Sequence, residues 1–211
     1  MELLDALRSR RSIRKFDPQH RLSEVELRHL IGHAQLAPTS FNMQNWHFVA
    51  VADPAVKERL WEAAWLQAPV RDASLVVVIA GDFGAQRRTG RTLRHAPPET
   101  RTRMAKLILD LYEGNEQLLR DEGCRSAGLA GMALMLVAKD MGLDSCPMIG
   151  FDPAKVAGIL NLDADHPPLL MVLVGKALAP PFAPTGFLDF ADTVSVDRFG
   201  HHPLLGEPPS A

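Results

Sequence analysis

Cysteine is scarce in this chain. Its 211 residues hold two, Cys124 and Cys146, too few for a disulfide framework, and Cys146 stands beside a proline in an apolar setting that suggests burial. A reducing cytoplasm is the natural compartment. An excess of one charge is also lacking. The 23 basic and 25 acidic residues leave a net charge of -2 and a pI near 6.4, so there is no electrostatic case for nucleic acid as a partner. No apolar run approaches the ~18 residues that span a bilayer, and acidic and basic residues share the first ten positions, unlike a secretory leader. No membrane association is expected. No strong metal-ligand spacing occurs either, since His201-His202 is a weak signal without acidic or cysteine partners.

What is present suits one hydrophobic core. Hydrophobic residues make up 46% of the chain, enough for one substantial domain and short for two. Leucines at 3, 4 and 7 predict a first helix, from about Glu2 to Ser9. Ser23 with Glu26 forms a capping box, so a second helix should run from Glu24 to about Leu36, where Pro38 stops it. Trp46 to Val51 alternates like a strand. Asp53-Pro54 starts a helix reaching roughly Trp65. The continuous run Leu75 to Ala80 predicts a buried central strand, and Leu169 to Val174 another.

Between these strands, residues 84–103 set six arginines among glycine, threonine and Pro97-Pro98, which predicts an insertion or lid. A helix should follow from Thr102 to about Arg120. Ser126 to Met141 is apolar on every side and is expected at the centre of the core or at a subunit interface, with Gly142 as its left-handed cap. Asp152-Pro153 opens a short helix to about Leu160. After Lys176 the prolines at 180, 181, 184, 203, 208 and 209 predict an extended arm. Few strands among many helices suit an α+β sheet with helices on its faces.

Two short polar stretches carry the chemistry. Arg10, Arg11, Ser12 and Arg14 put three guanidiniums and a hydroxyl at a helix end, a fork of donors that suits a doubly charged phosphate. Pro38, Thr39, Ser40, Asn42 and Gln44 put hydroxyls and carboxamides in a turn, groups that both give and accept hydrogen bonds and so suit a flat heterocycle.

Together with Gly142-Leu-Asp-Ser-Cys-Pro-Met-Ile-Gly-Phe-Asp152, these motifs resemble the FMN-dependent nitroreductase family in order, from about residue 2 to about residue 176. The resemblance implies a nitroreductase-like α+β fold with a central mixed, mainly antiparallel sheet flanked by helices in an intertwined homodimer. The flavin-binding domain would span 1–178, with an Arg-rich lid near 84–103, and 179–211 would be a Pro-rich arm of the same domain. It implies a hydride passed from NADH or NADPH through flavin N5 to a nitroaromatic, quinone or similar flat acceptor by a ping-pong route. A flavin-fragmenting or dehalogenating relative, or a non-catalytic FMN-binding protein, are the alternatives. Arg10 and Ser12 would lean toward the phosphate and Arg14 toward the pyrimidine edge. Pro38, Thr39, Ser40, Asn42 and Gln44 would line the site, some from the partner subunit, while Ile149 and Gly150 match the segment whose backbone amide approaches N5. The family's usual ring-contacting asparagine falls at Leu66, with Gln67 as the substitute next door, and Arg198 is the candidate for the basic residue that returns to the phosphate. No catalytic side chain is implied, because the cofactor carries the electrons. Two readings stay open for the arginines of 84–103: a solvated basic loop, and recognition of a phosphate on the donor or of an acidic substrate.

Overall fold

The computed structural model describes residues 1–201 and divides into two units, Met1–Pro181 and Phe182–Ala211. The first is built on four strands, β1 (Trp46–Val51), β2 (Leu75–Gly81), β3 (Asp144–Met148) and β4 (Pro168–Gly175). They stand in the order β1-β2-β4-β3, and every neighbouring pair is antiparallel. The parallel component is a single bridge between Ser12 and Ser145. β3 lies in a segment noticed in the sequence only as a motif. Its proline and short length hide it, and an edge strand tolerates both.

All seven residues of β2 are buried, and the reason is the layer on each face. Val76 and Val78 pack with Met171 and Leu173 beneath α3 (Pro54–Ala63) and α8 (Pro153–Leu160), which contribute Leu60 and Val156. Leu75, Val77 and Ile79 point the other way, with Val172 and Val174, against Leu30 and Ala34 of α2 (Glu24–Ala34) and Ala130 and Leu134 of α7 (Glu116–Asp140). A strand covered on both faces has no polar side to show, hence the unbroken apolar run.

Four helices, α2, α3, α7 and α8, start at a side-chain cap. Ser23 and Glu26 make the reciprocal capping box of α2. Asp53 accepts from Val56 N at 2.9 Å, and Asp152 from Ala154 N and Lys155 N at 3.0 and 3.1 Å. Gly142, at φ +70°, ends α7 as expected. Two expectations are corrected. The helix predicted for 102–120 is instead α6 (Pro98–Tyr112), stopped by Gly114 at φ +74°, and α7 begins at Glu116, ten residues before Ser126, with Asn115 capping Leu118 N. The polar residues 113–117 carry no periodicity, so nothing marked the break except one glycine. Nor is α7 buried all round within the chain, for Leu129 is 48% exposed.

In the second unit α9 is one turn, Phe190–Thr193, and Val196 N donates to His201 O at 2.9 Å. His202, Pro203, Pro208 and Pro209 lie outside the described residues.

Two glycines test this packing in opposite directions. A Cβ on Gly131 of α7 would stand 2.5 Å from Leu170 Cδ2, whereas one on Gly32 of α2 would meet nothing within 4 Å. Gly131→Val should lower stability by about 1–3 kcal/mol through overpacking. Gly32→Ala should raise it by about 0.5–1 kcal/mol. Urea unfolding midpoints check both signs.

Candidate functional site

The arginine segment is positioned by its apolar neighbours. α1 (Leu3–Ser9) ends as Arg10 N donates to Ala6 O at 2.9 Å. The chain then runs extended, and Ile13 N donates to Ser145 O at 3.0 Å, laying residues 12–13 along the free edge of β3. Ile13 and Phe16 are 2% and 1% exposed. Burying them turns Ser12 and Arg14 to the surface. Arg10 is half-buried, and its Nη1 is enclosed with no hydrogen-bond partner among the described residues. Ser145 Oγ is likewise buried and unpartnered. Arg10 and Arg14 have no carboxylate partner among the described residues. Both lie near enough to Cys146 to oppose, electrostatically, the rise that burial imposes on its thiol.

Past the far end of β3 lies a ledge. α3 closes at Ala63, two residues before the expected Trp65, because Trp65 and Leu66 adopt left-handed backbone, φ +55° and +59°. The chain returns as α4 (Ala68–Asp72). Lys57 of α3 holds this return, its buried Nζ donating to Ala73 O at 2.6 Å and Arg71 O at 3.1 Å. Burial depresses the Lys57 pKa. Gln67 then reaches across to Gly150, its Nε2 donating to Gly150 O at 2.9 Å and to Ala64 O at 3.1 Å. A Cβ on Gly150 would sit 3.0 Å from that nitrogen and 3.4 Å from the Trp65 ring, so glycine here admits the amide and the indole. The rim is apolar and open, with Trp65, Leu66 and Ile149 at 65, 59 and 79% exposure.

The carboxamide segment is held elsewhere. Phe41, Asn42 and Gln44 all have φ near +50°, a conformation costing of order 1–3 kcal/mol for a non-glycine residue and kept only when the surroundings impose it. Here they do: Tyr112 OH donates to Ser40 Oγ at 2.8 Å, Thr39 Oγ1 accepts from Gln44 N at 2.9 Å, and Met43 is buried against Ala85, Ile108 and Tyr112. The Thr39 and Ser40 hydroxyls are therefore engaged internally. Pro38 and the carboxamides of Asn42 and Gln44 are exposed, the latter two 3.4 Å apart.

Within one chain the predicted residues thus form two groups. Arg10, Arg11, Ser12, Arg14, Gln67, Ile149 and Gly150 gather around β3 and the turn facing its end, whereas residues 38–44 lead into β1, the opposite edge of the sheet. Three strand spacings, roughly 14 Å, separate those edges. Arg198 belongs to the second unit, where its N donates to Val196 O at 2.7 Å. Trp65, Lys57, Tyr112 and Ser145 escaped the sequence reading. The single tyrosine of the chain was the one signal available for Tyr112. No group of His, Cys, Asp and Glu among the described residues can hold a metal ion, and no helix among them is long and apolar enough to cross a membrane.

An antiparallel four-stranded sheet between helical layers, with an arginine segment on one edge and a glycine-backed ledge beyond it, is the setting in which comparison becomes informative. The model of the nitroreductase family matches residues 7–176, and the chain belongs to that family. DrgA of Synechocystis is 45% identical over 177 residues, covering 83% of this chain and 84% of DrgA. MhqN of Bacillus subtilis, assigned by name to the NAD(P)H nitroreductases, is 34% identical over 193 residues, 88% of this chain and 94% of its own. A protein from Exiguobacterium sibiricum crystallised in complex with FMN superposes with a TM-score of 0.84 at 29% identity, over 92% of this chain and 97% of that one. Arg198 lies beyond the matched residues.

Gln67 is the tie between the two sides of the ledge. Gln67→Leu should remove both carbonyl contacts and lower stability by about 1–2 kcal/mol. Amide hydrogen exchange should accelerate at residues 64–67 and 149–151 while the α7 core stays protected.

Proposed function

We propose that this chain is an FMN-dependent oxidoreductase that draws reducing equivalents from NADH or NADPH and delivers them to a nitroaromatic, a quinone or a similar flat acceptor, working as a cytoplasmic homodimer. The observation that carries the reading is the buried Arg10 Nη1 without a partner. An enclosed guanidinium nitrogen that lacks an acceptor costs about 1–3 kcal/mol or more, and a phosphate oxygen would relieve it. The residues present fit the cofactor. Arg10 and Ser12 would hold the phosphate, with Arg14 beside them. From Ser145 to Met148 β3 rises roughly 10 Å, carrying the site to the ledge of Gln67, Ile149 and Gly150, where the ring would lie.

FMN, when bound here, would supply two-electron redox chemistry between the donor and the acceptor. The side chains of this ledge are Gln67, Trp65, Leu66 and Ile149, and none of them titrates. Their work is orientation and exclusion of water: Gln67 fixes the Gly150 peptide, and the exposed indole and aliphatic groups offer an apolar surface to a planar molecule. Donor and acceptor would occupy this one surface in turn, a ping-pong order.

The division of the candidate residues between opposite sheet edges supports a dimer in which residues 38–44 of one subunit complete the site of the other. Leu3, Leu4 and Leu7 of α1, Leu107 and Leu111 of α6 and Leu129 of α7 are all exposed in the isolated chain, apolar surface that a second copy would cover.

The purified protein should be yellow, release FMN on heating and sediment at twice the 23.2 kDa of one chain. With menadione, initial rates of NAD(P)H consumption should give parallel double-reciprocal lines. Arg10→Ala should weaken FMN binding by about tenfold or more, read from flavin fluorescence. Colourless protein that takes up no added FMN would overturn the reading, and intersecting lines would remove the shared surface.

A further inference from the structure

The hydroxyl of the chain's one tyrosine meets the strained carboxamide turn. Tyr112, 2% exposed, is the last residue of α6, and its phenol lies 2.8 Å from Ser40 Oγ, 72 positions earlier in the sequence. The helix end that carries it is braced on several sides. Gly114 stops α6 at φ +74°, Arg87 of the insertion pairs with Glu113 at 2.8 Å, and Arg88 pairs with Asp82. Ala85 and Leu93, on either side of α5 (Thr89–Thr92), pack with Met43, Ile108 and Tyr112. The Tyr112 ring also meets Phe41 edge-on, with centroids 6.5 Å apart. Moving the phenol away from Ser40 would disturb all of these contacts.

The direction of this bond decides what Ser40 can do. A phenol is a stronger donor and a weaker acceptor than an aliphatic hydroxyl, so the shared proton is the tyrosine's. Ser40 Oγ accepts it, and the serine keeps its own proton, for which there is no acceptor among the described residues. A serine in a turn ordinarily gives that proton to a nearby backbone group. Accepting from Tyr112 also polarises the Ser40 hydroxyl and strengthens it as a donor. The backbone holds the group in place: Phe41, Asn42 and Gln44 keep φ near +50°, Thr39 Oγ1 accepts from Gln44 N, and the buried Asn45 accepts from Ser126 Oγ of α7 at 2.8 Å. Ser40 is half-buried, so its free donor meets the surface at a fixed place. No residue from 38 to 46 is charged, and an uncharged acceptor therefore suits this donor better than an anion.

We propose that Tyr112 is a positioning residue for the flavin: by occupying Ser40 Oγ as an acceptor it commits the Ser40 hydroxyl to donate, and that donor serves an uncharged acceptor atom of the isoalloxazine ring. This rests on the FMN reading above and on the dimer in which residues 38–44 complete the opposite site. The phosphate, for which Arg10 and Ser12 provide, is not its target. Tyr112 acts through Ser40 alone.

Flavin fluorescence on the full-length protein tests it, by giving the dissociation constants of FMN and of riboflavin, which has the ring but no phosphate. The unmodified chain, Tyr112→Phe, Ser40→Ala and the double variant are compared. Phenylalanine keeps the ring packing, and urea midpoints and sedimentation report folding and assembly separately. Tyr112→Phe should weaken FMN and riboflavin by the same factor, about fivefold, the scale of one hydrogen bond. Ser40→Ala should weaken both at least as much, and adding Tyr112→Phe to it should change neither further. The midpoint potential of FMN bound to Tyr112→Phe should move to more negative values, because a donor on the ring favours the electron-rich reduced state. Unchanged affinity or potential in Tyr112→Phe, effects that add in the double variant, or a loss confined to FMN overturns the proposal, whatever the urea midpoint does. Those outcomes leave the oxidoreductase reading standing, whereas an unmodified protein that binds neither flavin removes that reading and this proposal with it.

Discussion

The pairing of residues 12–13 with the edge of β3 is the constraint on which the candidate site depends. Ile13 N to Ser145 O is one backbone hydrogen bond, but it is fixed by two side chains that must be buried, Ile13 and Phe16. With those anchored, the polar residues beside them, Ser12 and Arg14, are turned to the surface. Arg10, Ser12 and Arg14 are aligned by hydrophobic burial nearby rather than by contacts of their own. An edge strand usually has to be protected from pairing with another chain. Here the N-terminal segment covers part of that edge and brings positive charge to it.

Strain marks the same regions. Five non-glycine residues with positive φ lie among the candidate-site segments: Phe41, Asn42 and Gln44 in the carboxamide turn, Trp65 and Leu66 in the apolar ledge. Each is over-determined by its surroundings. Tyr112 and the Met43 pocket hold the first, and the Lys57 clamp and the Gln67 bridge hold the second. A backbone kept in sparsely populated conformations by long-range contacts is suited to presenting amides and side chains at fixed positions. Lys57 carries a cost of its own, since a buried ammonium must be compensated by the carbonyls it caps.

Much of the framework was legible along the chain. The capping box at Ser23, the Asp-Pro starts at Asp53 and Asp152, the glycine stop at Gly142 and the apolar run of β2 are signals a few residues long, and each produced the element it announced. Legibility failed where the deciding contact was distant. β3 contains a proline and has no alternation to show, and it exists because β4 pairs with it. The break at Gly114 was hidden because polar residues on both sides fit a solvated helix. The arginines of 84–103 looked alike in sequence, and only Glu113 and Asp82, contributed from outside that stretch, separate those already paired from those that are not.

By itself, then, the order of residues determined most of the helices and strands, β3 and the break between α6 and α7 excepted, and which chemical groups the protein carries, because caps, periodicity and side-chain chemistry act over one or two turns. The tertiary structure decided which of those groups remain available. It occupied the Thr39 and Ser40 hydroxyls and left Arg10 Nη1 enclosed without an acceptor. It joined Gln67 to Gly150 across 83 residues and set residues 38–44 at the sheet edge opposite to Arg10 and Ser12. Hydrogen bonds and burial between distant segments are properties of the packed chain, and no local pattern encodes them.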